Sequence, residues 1–232
     1  MEQPITTQTN LREQNIIKHF EECFVETIAP RTIIGVKPHI IETGDHRPIS
    51  QKNYRVPIHY EAAITEEINK NLKLGIIRRS NSPWCSRIVP VSNQDGSLRM
   101  CIDFRALNQI TIRDKYPLPR IDEILDRLAS ARIFSTLDAT SGYYQIGMHE
   151  PDKQKTAFAW KGGLYEFNRM PFGLCNAPAT IQRAMDQLIG NPCSKFVIPY
   201  LDDIIVFSKR YRPDRPKCRS SEVPIIRKIN FF

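Results

Sequence analysis

The sequence predicts an α+β fold, and three observations carry that expectation. Phe196–Ser208 places short runs of β-branched and aromatic residues on both sides of an adjacent acid pair, Asp202 and Asp203, the pattern of two strands joined by a tight turn. Ile133–Asp138 is another short apolar run, and it ends in a lone acid. Tyr60–Leu74 and Asn176–Ile189 instead repeat their apolar residues at helical spacing.

In chain order, residues 1–40 offer one short amphipathic helix at Gln14–Phe24, with Ile16, Ile17, Phe20 and Phe24 on one side. Ala29-Pro30, Lys37-Pro38 and Arg47-Pro48 then punctuate an extended connection, so 1–40 is expected to be a linker or scaffold segment. Tyr60–Leu74 forms a helix through Ile64, Ile68 and Leu72, and Gly75 stands where a C-terminal cap belongs. Strands are expected at Ile76-Ile77, Ser86–Val91 and Leu98–Asp103, the last two joined by a turn at Asn93–Gly96. Pro117–Ala131 reads as a proline-initiated helix that buries Ile121, Ile124, Leu125 and Leu128 and turns Asp122, Glu123, Asp126 and Arg127 to water. Lys155–Trp160 and Leu164–Asn168 alternate as a hairpin around a Lys-Gly-Gly turn. Met170–Leu174 is a tight, glycine-bearing loop. Asn176 is expected to cap a helix that buries Ile181, Ala184, Met185 and Leu188 and ends at Gly190. Residues 209–232 show neither apolar period nor cap logic and read as a divergent, disordered basic tail.

Composition narrows the function classes. With 232 residues, 41% hydrophobic and 25% charged, the chain has ordinary globular proportions and ample length for a core. No apolar run approaches the roughly 20 residues of a membrane span, and the N-terminus lacks a signal-peptide pattern, so neither a membrane location nor secretion is expected. Cys23, Cys85, Cys101, Cys175, Cys193 and Cys218 are scattered without Cys-x-x-Cys or a neighbouring His, which argues against a zinc site or a disulfide framework. The net charge of +8 is uneven: residues 209–232 hold eight Lys and Arg against two acids, and residues 78–120 hold eight against three. The segment 78–120 is the informative basic patch, because the candidate acids lie outside it.

An Asp-Asp pair is, in most chains, a solvated turn. Here no Lys or Arg stands beside it, and a hard divalent cation would relieve the repulsion. If the Asp138 strand neighbours the hairpin, three carboxylates meet at one sheet edge, as two-metal phosphoryl transfer requires. Taken alone, Asp138 is better explained as a turn residue capping the next segment.

Tyr200-Leu-Asp-Asp203 with Phe134-Ser-Thr-Leu-Asp138 resembles the core of reverse transcriptases. Further stretches are similar to the gypsy-type long-terminal-repeat retrotransposon Pol polyproteins: Gly75–Arg78, Ser82-Pro-Trp84, Asp95-Gly-Ser97, Arg99–Asn108, Tyr116–Arg120, Ser141-Gly-Tyr143, Lys155–Phe158, Met170–Leu174 and Asn176–Ala179. The resemblance runs from about residue 41 to residue 208 and implies fingers and palm, with an antiparallel palm sheet and helices packed on one face. It implies an RNA-directed DNA polymerase that binds a template with primer and dNTPs. Asp138, Asp202 and Asp203 would be its catalytic residues and would hold two Mg2+ ions, with Mn2+ a possible substitute. Arg99 would grip the triphosphate, Tyr143 would reject the ribose 2′-hydroxyl, and Phe172 and Gly173 would line the nucleotide pocket. Arg78, Arg105 and Asn108 would face the template. Such a chain is expected inside the cell, in the cytoplasm or in virus-like particles.

The chain also departs from the family. Ser92, Asn93 and Gln94 stand where lysines are usual, and the resemblance stops at Ser208, before a thumb or ribonuclease H segment. A catalytically inactive retrotransposon remnant that binds nucleic acid is therefore a second reading. An RNA-dependent RNA polymerase is a third, opposed by Tyr143. The sequence sets no oligomeric state.

Overall fold

The structure, a computed structural model, describes residues 18–19, 35–52, 54–92, 98–139, 141–193, 195–209 and 227–229. The expected helix at 14–24 and the loop 93–97, with Asn93 and Gln94, lie largely or wholly outside them. Helix α1 spans Ile58–Lys73 and buries Ile64 and Ile68, as its four-residue repeat requires; Gly75 closes it at φ +67°. Strands β1 (Ile77–Arg79), β2 (Arg87–Ser92) and β3 (Leu98–Asp103) follow, then the short helix α2 (Arg105–Ile110). Helix α3 (Ile121–Leu128) leads into β4 (Ile133–Ala139). Two 3-10 helices, Gly142–Gln145 and Glu150–Thr156, precede β5 (Phe158–Trp160) and β6 (Gly163–Phe167). Helix α4 (Ala177–Cys193) is interrupted at Gly190, and β7 (Val197–Tyr200), β8 (Asp203–Ser208) and β9 (Arg227–Ile229) complete the order.

The strands form three sheets. β1-β6-β5 and the pair β2-β3 are antiparallel throughout. The third has the order β7-β8-β4-β9; its first three strands are antiparallel and β9 runs parallel to β4. Strand alternation gives this sheet two faces. Ile204 and Val197 join Ile181, Ala184 and Met185 of α4 in the main core, whereas Ile198 and Phe207 join Ile124 of α3 in a smaller cluster on the other side.

Three expectations are corrected, the first being Leu188, which the period of α4 places on the buried face and which is 39% exposed. α3 is shorter than expected, because Pro117–Arg120 stay extended, and only Ile124 is buried; Ile121 and Leu125 are 62% and 59% exposed. The helix touches the sheet along a line too narrow to cover its whole apolar arc. Asn176 does not cap its own helix: its Oδ1 accepts from Asp114 N–H and its Nδ2 donates to the Ile112 carbonyl, so it ties the 112–114 loop to α4. Among the described residues no helix is long and apolar enough to cross a membrane. Cys85, Cys101 and Cys175 are free thiols.

Candidate active site

The site is built on the β7-β8 turn. Tyr200 pairs with Asp203, leaving Leu201 and Asp202 as the loop, and Leu201 holds φ +55°, a left-handed conformation that a side chain with Cβ resists. Asp138 lies directly opposite Asp203 in the β4-β8 ladder. Ala139 N–H donates to the Asp202 carbonyl at 2.9 Å, so Asp138 and Asp203 form a pair flanked by ladder bonds rather than bonded to each other. Such pairs bring their Cα atoms to about 4.5 Å and their side chains to the same face. Gly142, just past β4, completes the arrangement. A Cβ added there would stand 3.2 Å from Cβ of Asp202, Cβ of Ala139 and Cδ1 of Ile181, so the missing side chain is what lets the first 3-10 helix approach the turn.

Electrostatics follow from this crowding of like charge. Partial burial, then the fields of Asp202 and Asp138, raise the Asp203 carboxyl above its usual range. Burial and the same Asp202 raise the Tyr143 phenol. Among the described residues no group of three acid, His or Cys side chains stands ready to hold a metal ion. The backbone brings the acids together, and their side chains would have to turn towards one another to close a cage.

Beside the acids lies an aromatic shelf. Phe172, 47% exposed, tilts onto Tyr143 with ring centroids 4.7 Å apart and meets Tyr144 edge-on at 5.5 Å. Burial, with Glu67 and Cys101, pushes Tyr144 up to about 12 against the opposing field of Arg99, so exposed Arg99 on β3 lies within electrostatic reach of this shelf. Gly173 has φ +92°, a backbone state that favours glycine.

The residues expected at the template have internal partners. Asn108 donates from Nδ2 to the Gly173 carbonyl and accepts Cys175 N–H on Oδ1, clamping the loop behind Phe172. Arg105 makes a two-point contact with Asp103, holding that carboxyl down at about 2, while its own side chain stays 83% exposed. Arg78 lies in the β1-β6-β5 sheet and pairs with Glu166 and Glu150.

The family profile described as Reverse transcriptase (RNA-dependent DNA polymerase) matches residues 91–222, more than half of the chain. The chain belongs to the reverse transcriptase family. It is 40% identical over 215 residues to the retrovirus-related Pol polyprotein from transposon opus of Drosophila melanogaster, covering 90% of this chain and 21% of that protein. It is 42% identical over 175 residues to the corresponding polyprotein from transposon gypsy of the same organism, covering 73% of this chain and 17% of that one. The chain thus spans about a fifth of the length of the curated relatives it matches. Among solved structures, the foamy viral protease-reverse transcriptase in complex with dsDNA superimposes with a TM-score of 0.76 at 25% identity, covering 87% of this chain and 43% of that chain. The α+β architecture, the antiparallel pairing of β7, β8 and β4 and the reverse transcriptase domain expected from the motifs are therefore present, with α4 and α3 on opposite faces of that sheet rather than on one.

One residue at the site has no counterpart among the expected ones. Gln182 of α4 is fully buried and bonds to the backbone of the β7-β8 turn. Its signal in the sequence is faint: a lone amide three residues before Met185, inside the arc that α4 buries.

Proposed function

We propose that the chain is an RNA-directed DNA polymerase domain that extends a primer 3′-hydroxyl with dNTPs along an RNA or DNA template. The observation that carries this is Asp138 standing opposite Asp203 at the turn that also bears Asp202, in a chain of this family. The donor set fits the metal chemistry: three carboxylates at one sheet edge, with Asp203 raised by its neighbours, suit a hard divalent cation that takes oxygen ligands. Two Mg2+ ions held there, or Mn2+ in their place, would lower the pKa of the 3′-hydroxyl and neutralise charge on the triphosphate.

The chain's own residues do the rest. Asp138 and Asp202 are the principal ligands and Asp203 assists. Arg99 presents paired donors to the phosphates. The Tyr143 ring, braced by Phe172, stands under the sugar and leaves no room for a 2′-hydroxyl, the group that distinguishes ribonucleotides. Gly173 lets the backbone approach the nucleotide, held by Asn108 from behind. Arg105 offers its exposed guanidinium to the template backbone, a salt-sensitive contact. Asn108 and Arg78 serve the template side by shaping the surface, since their polar groups are engaged. The complex of the foamy viral relative with dsDNA supports a duplex partner. The cytoplasm or a virus-like particle is the setting that goes with this activity.

Primer extension on an RNA template with Mg2+ and dNTPs tests the reading. Wild type should extend, and Asp202→Asn should lose about a thousandfold, the equivalent of roughly 4 kcal/mol of transition-state stabilisation. Tyr143→Ala should raise ribonucleotide incorporation by about ten- to a hundredfold. No extension by wild type at micromolar protein leaves the second reading, a non-catalytic chain that binds nucleic acid. That reading is favoured by Ser92, Asn93 and Gln94, which stand where lysines are usual in the family.

A further inference from the structure

A buried amide on α4 grips the turn that carries the acid pair. Gln182 is 0% exposed, and a primary amide can be buried at low cost only if its donors and acceptor are satisfied. Its Oε1 accepts Leu201 N–H at 2.9 Å. Its Nε2 donates to the Pro199 carbonyl at 3.2 Å and to Asp186 Oδ1 at 3.0 Å. The partners fix which way the amide faces. Flipped, its oxygen would meet a carbonyl and a carboxylate, and its NH2 would meet an N–H.

The two backbone bonds bracket Tyr200, one to the last stretch of β7 and one to Leu201, the residue strained at φ +55° immediately before Asp202. Asp186, one helical turn along α4, holds the amide from behind, and its other oxygen accepts the Tyr116 hydroxyl at 2.7 Å. On the opposite side the Asp202 carbonyl is tied to Ala139 N–H, and Gly142 packs against Asp202 Cβ. The turn is thus gripped from α4 and from β4 at once.

We propose that Gln182 is a positioning residue: it holds Leu201 in its left-handed state and so sets the aim of Asp202 and Asp203 at a shared cation. The consequence for catalysis rests on the polymerase reading; the consequence for cation binding does not. A side chain needed only to fill space would be served equally well by methionine, which has nearly the same length and no amide.

The test uses the full chain and three proteins: wild type, Gln182→Met, and Met185→Ala as a control that opens a cavity on the same buried helix face. Mn2+ binding is measured by calorimetry without nucleotide. Exchange of the Leu201 amide is followed by NMR, and kcat and KM for dNTP come from primer extension. Gln182→Met should weaken Mn2+ binding and lower kcat by about ten- to a hundredfold, the range seen when groups that orient metal ligands are removed. It should also speed Leu201 exchange while shifting KM less than about threefold. Met185→Ala should lower the melting temperature yet keep Mn2+ affinity within about twofold, because it removes packing rather than a bond to the turn. Mn2+ affinity unchanged in Gln182→Met, or weakened equally by Met185→Ala, overturns the proposal, as does a wild type that binds no Mn2+ at millimolar concentration. A wild type that binds Mn2+ but extends no primer overturns only the polymerase reading, and the Mn2+ comparison still decides the role of Gln182.

Discussion

Glu150, Asp152 and Glu166 sit against cations, whereas Asp203 stands opposite Asp138 in the ladder and feels the fields of Asp138 and Asp202. Glu166, nearly inaccessible, takes Arg78 and the Ser80 hydroxyl; Glu150 pairs with Arg78 and Lys153. Lys153, then Arg78, hold the Glu150 carboxyl below its usual range. Burial works against the Asp152 carboxylate, yet Lys155 and His149 still hold it low. At the ends of β4 and β8 the shift runs the other way, and burial with neighbouring acids lifts Asp203. Both groups lie at strand ends or short helices of one chain, so local structure does not explain the contrast. Where the fold needs rigidity it brings opposite charges together. Where it gathers like charges at the ends of β4 and β8, it forgoes stability.

Removing one member from each group gives the widest separation. Glu166→Ala leaves Arg78 without its inner partner and should destabilise the chain by about 3 kcal/mol, with a correspondingly lower urea midpoint. Asp202→Asn should melt at or above wild type. Should Glu166→Ala unfold like wild type, the paired acids are not architectural and the contrast collapses.

Acid titration gives the next effect. His39, buried against the Thr180 hydroxyl, is pushed down by burial from 6.5 to about 4, although Asp152 and Asp114 pull it upward. Between those values the unfolded chain binds a proton that the folded chain refuses. His39 therefore contributes stability that is present above pH 6.5 and lost as pH falls towards 4, on the order of 3 kcal/mol in all. Thermal melts across that window should show the loss, and His39→Gln should flatten it.

The smallest effect has the opposite sign. Asp203 has a raised folded pKa, so its contribution is present below its ordinary value of 3.8 and lost as pH rises through the folded value. At pH 7 without divalent cation, Asp203→Asn should be more stable than wild type by less than about 1 kcal/mol, because the residue is exposed and solvent screens it. Millimolar Mg2+ should erase or reverse that difference in the melting temperature.

The acids were legible because strands with a two-residue period announce both their faces and their ends: Val197–Tyr200, Asp203–Ser208 and Ile133–Ala139 all read as short apolar runs that begin or end at or near an Asp. The motif resemblance then supplied what periodicity cannot, namely that β4 lies beside β8. Coverage was not legible. The period of α3 marks an apolar arc but not how much of it another element will meet, and Ile121 and Leu125 remain in water. Long-range bonds were equally hidden: Asn176 looked like a cap and binds Ile112 and Asp114, and nothing local to Asn108 announces its bonds to Gly173 and Cys175. Gln182 escaped for the same reason, since its partners lie up to nineteen positions away.

Leucine in a left-handed backbone state carries strain of roughly 1–2 kcal/mol that glycine would not. Leu201→Gly would shed that strain, but it would also remove a half-buried side chain packed against the main core and free the bend to sample several shapes. At this one position the ease of the backbone and the fit of the side chain pull in opposite directions, so a leucine is kept where the backbone alone would prefer glycine.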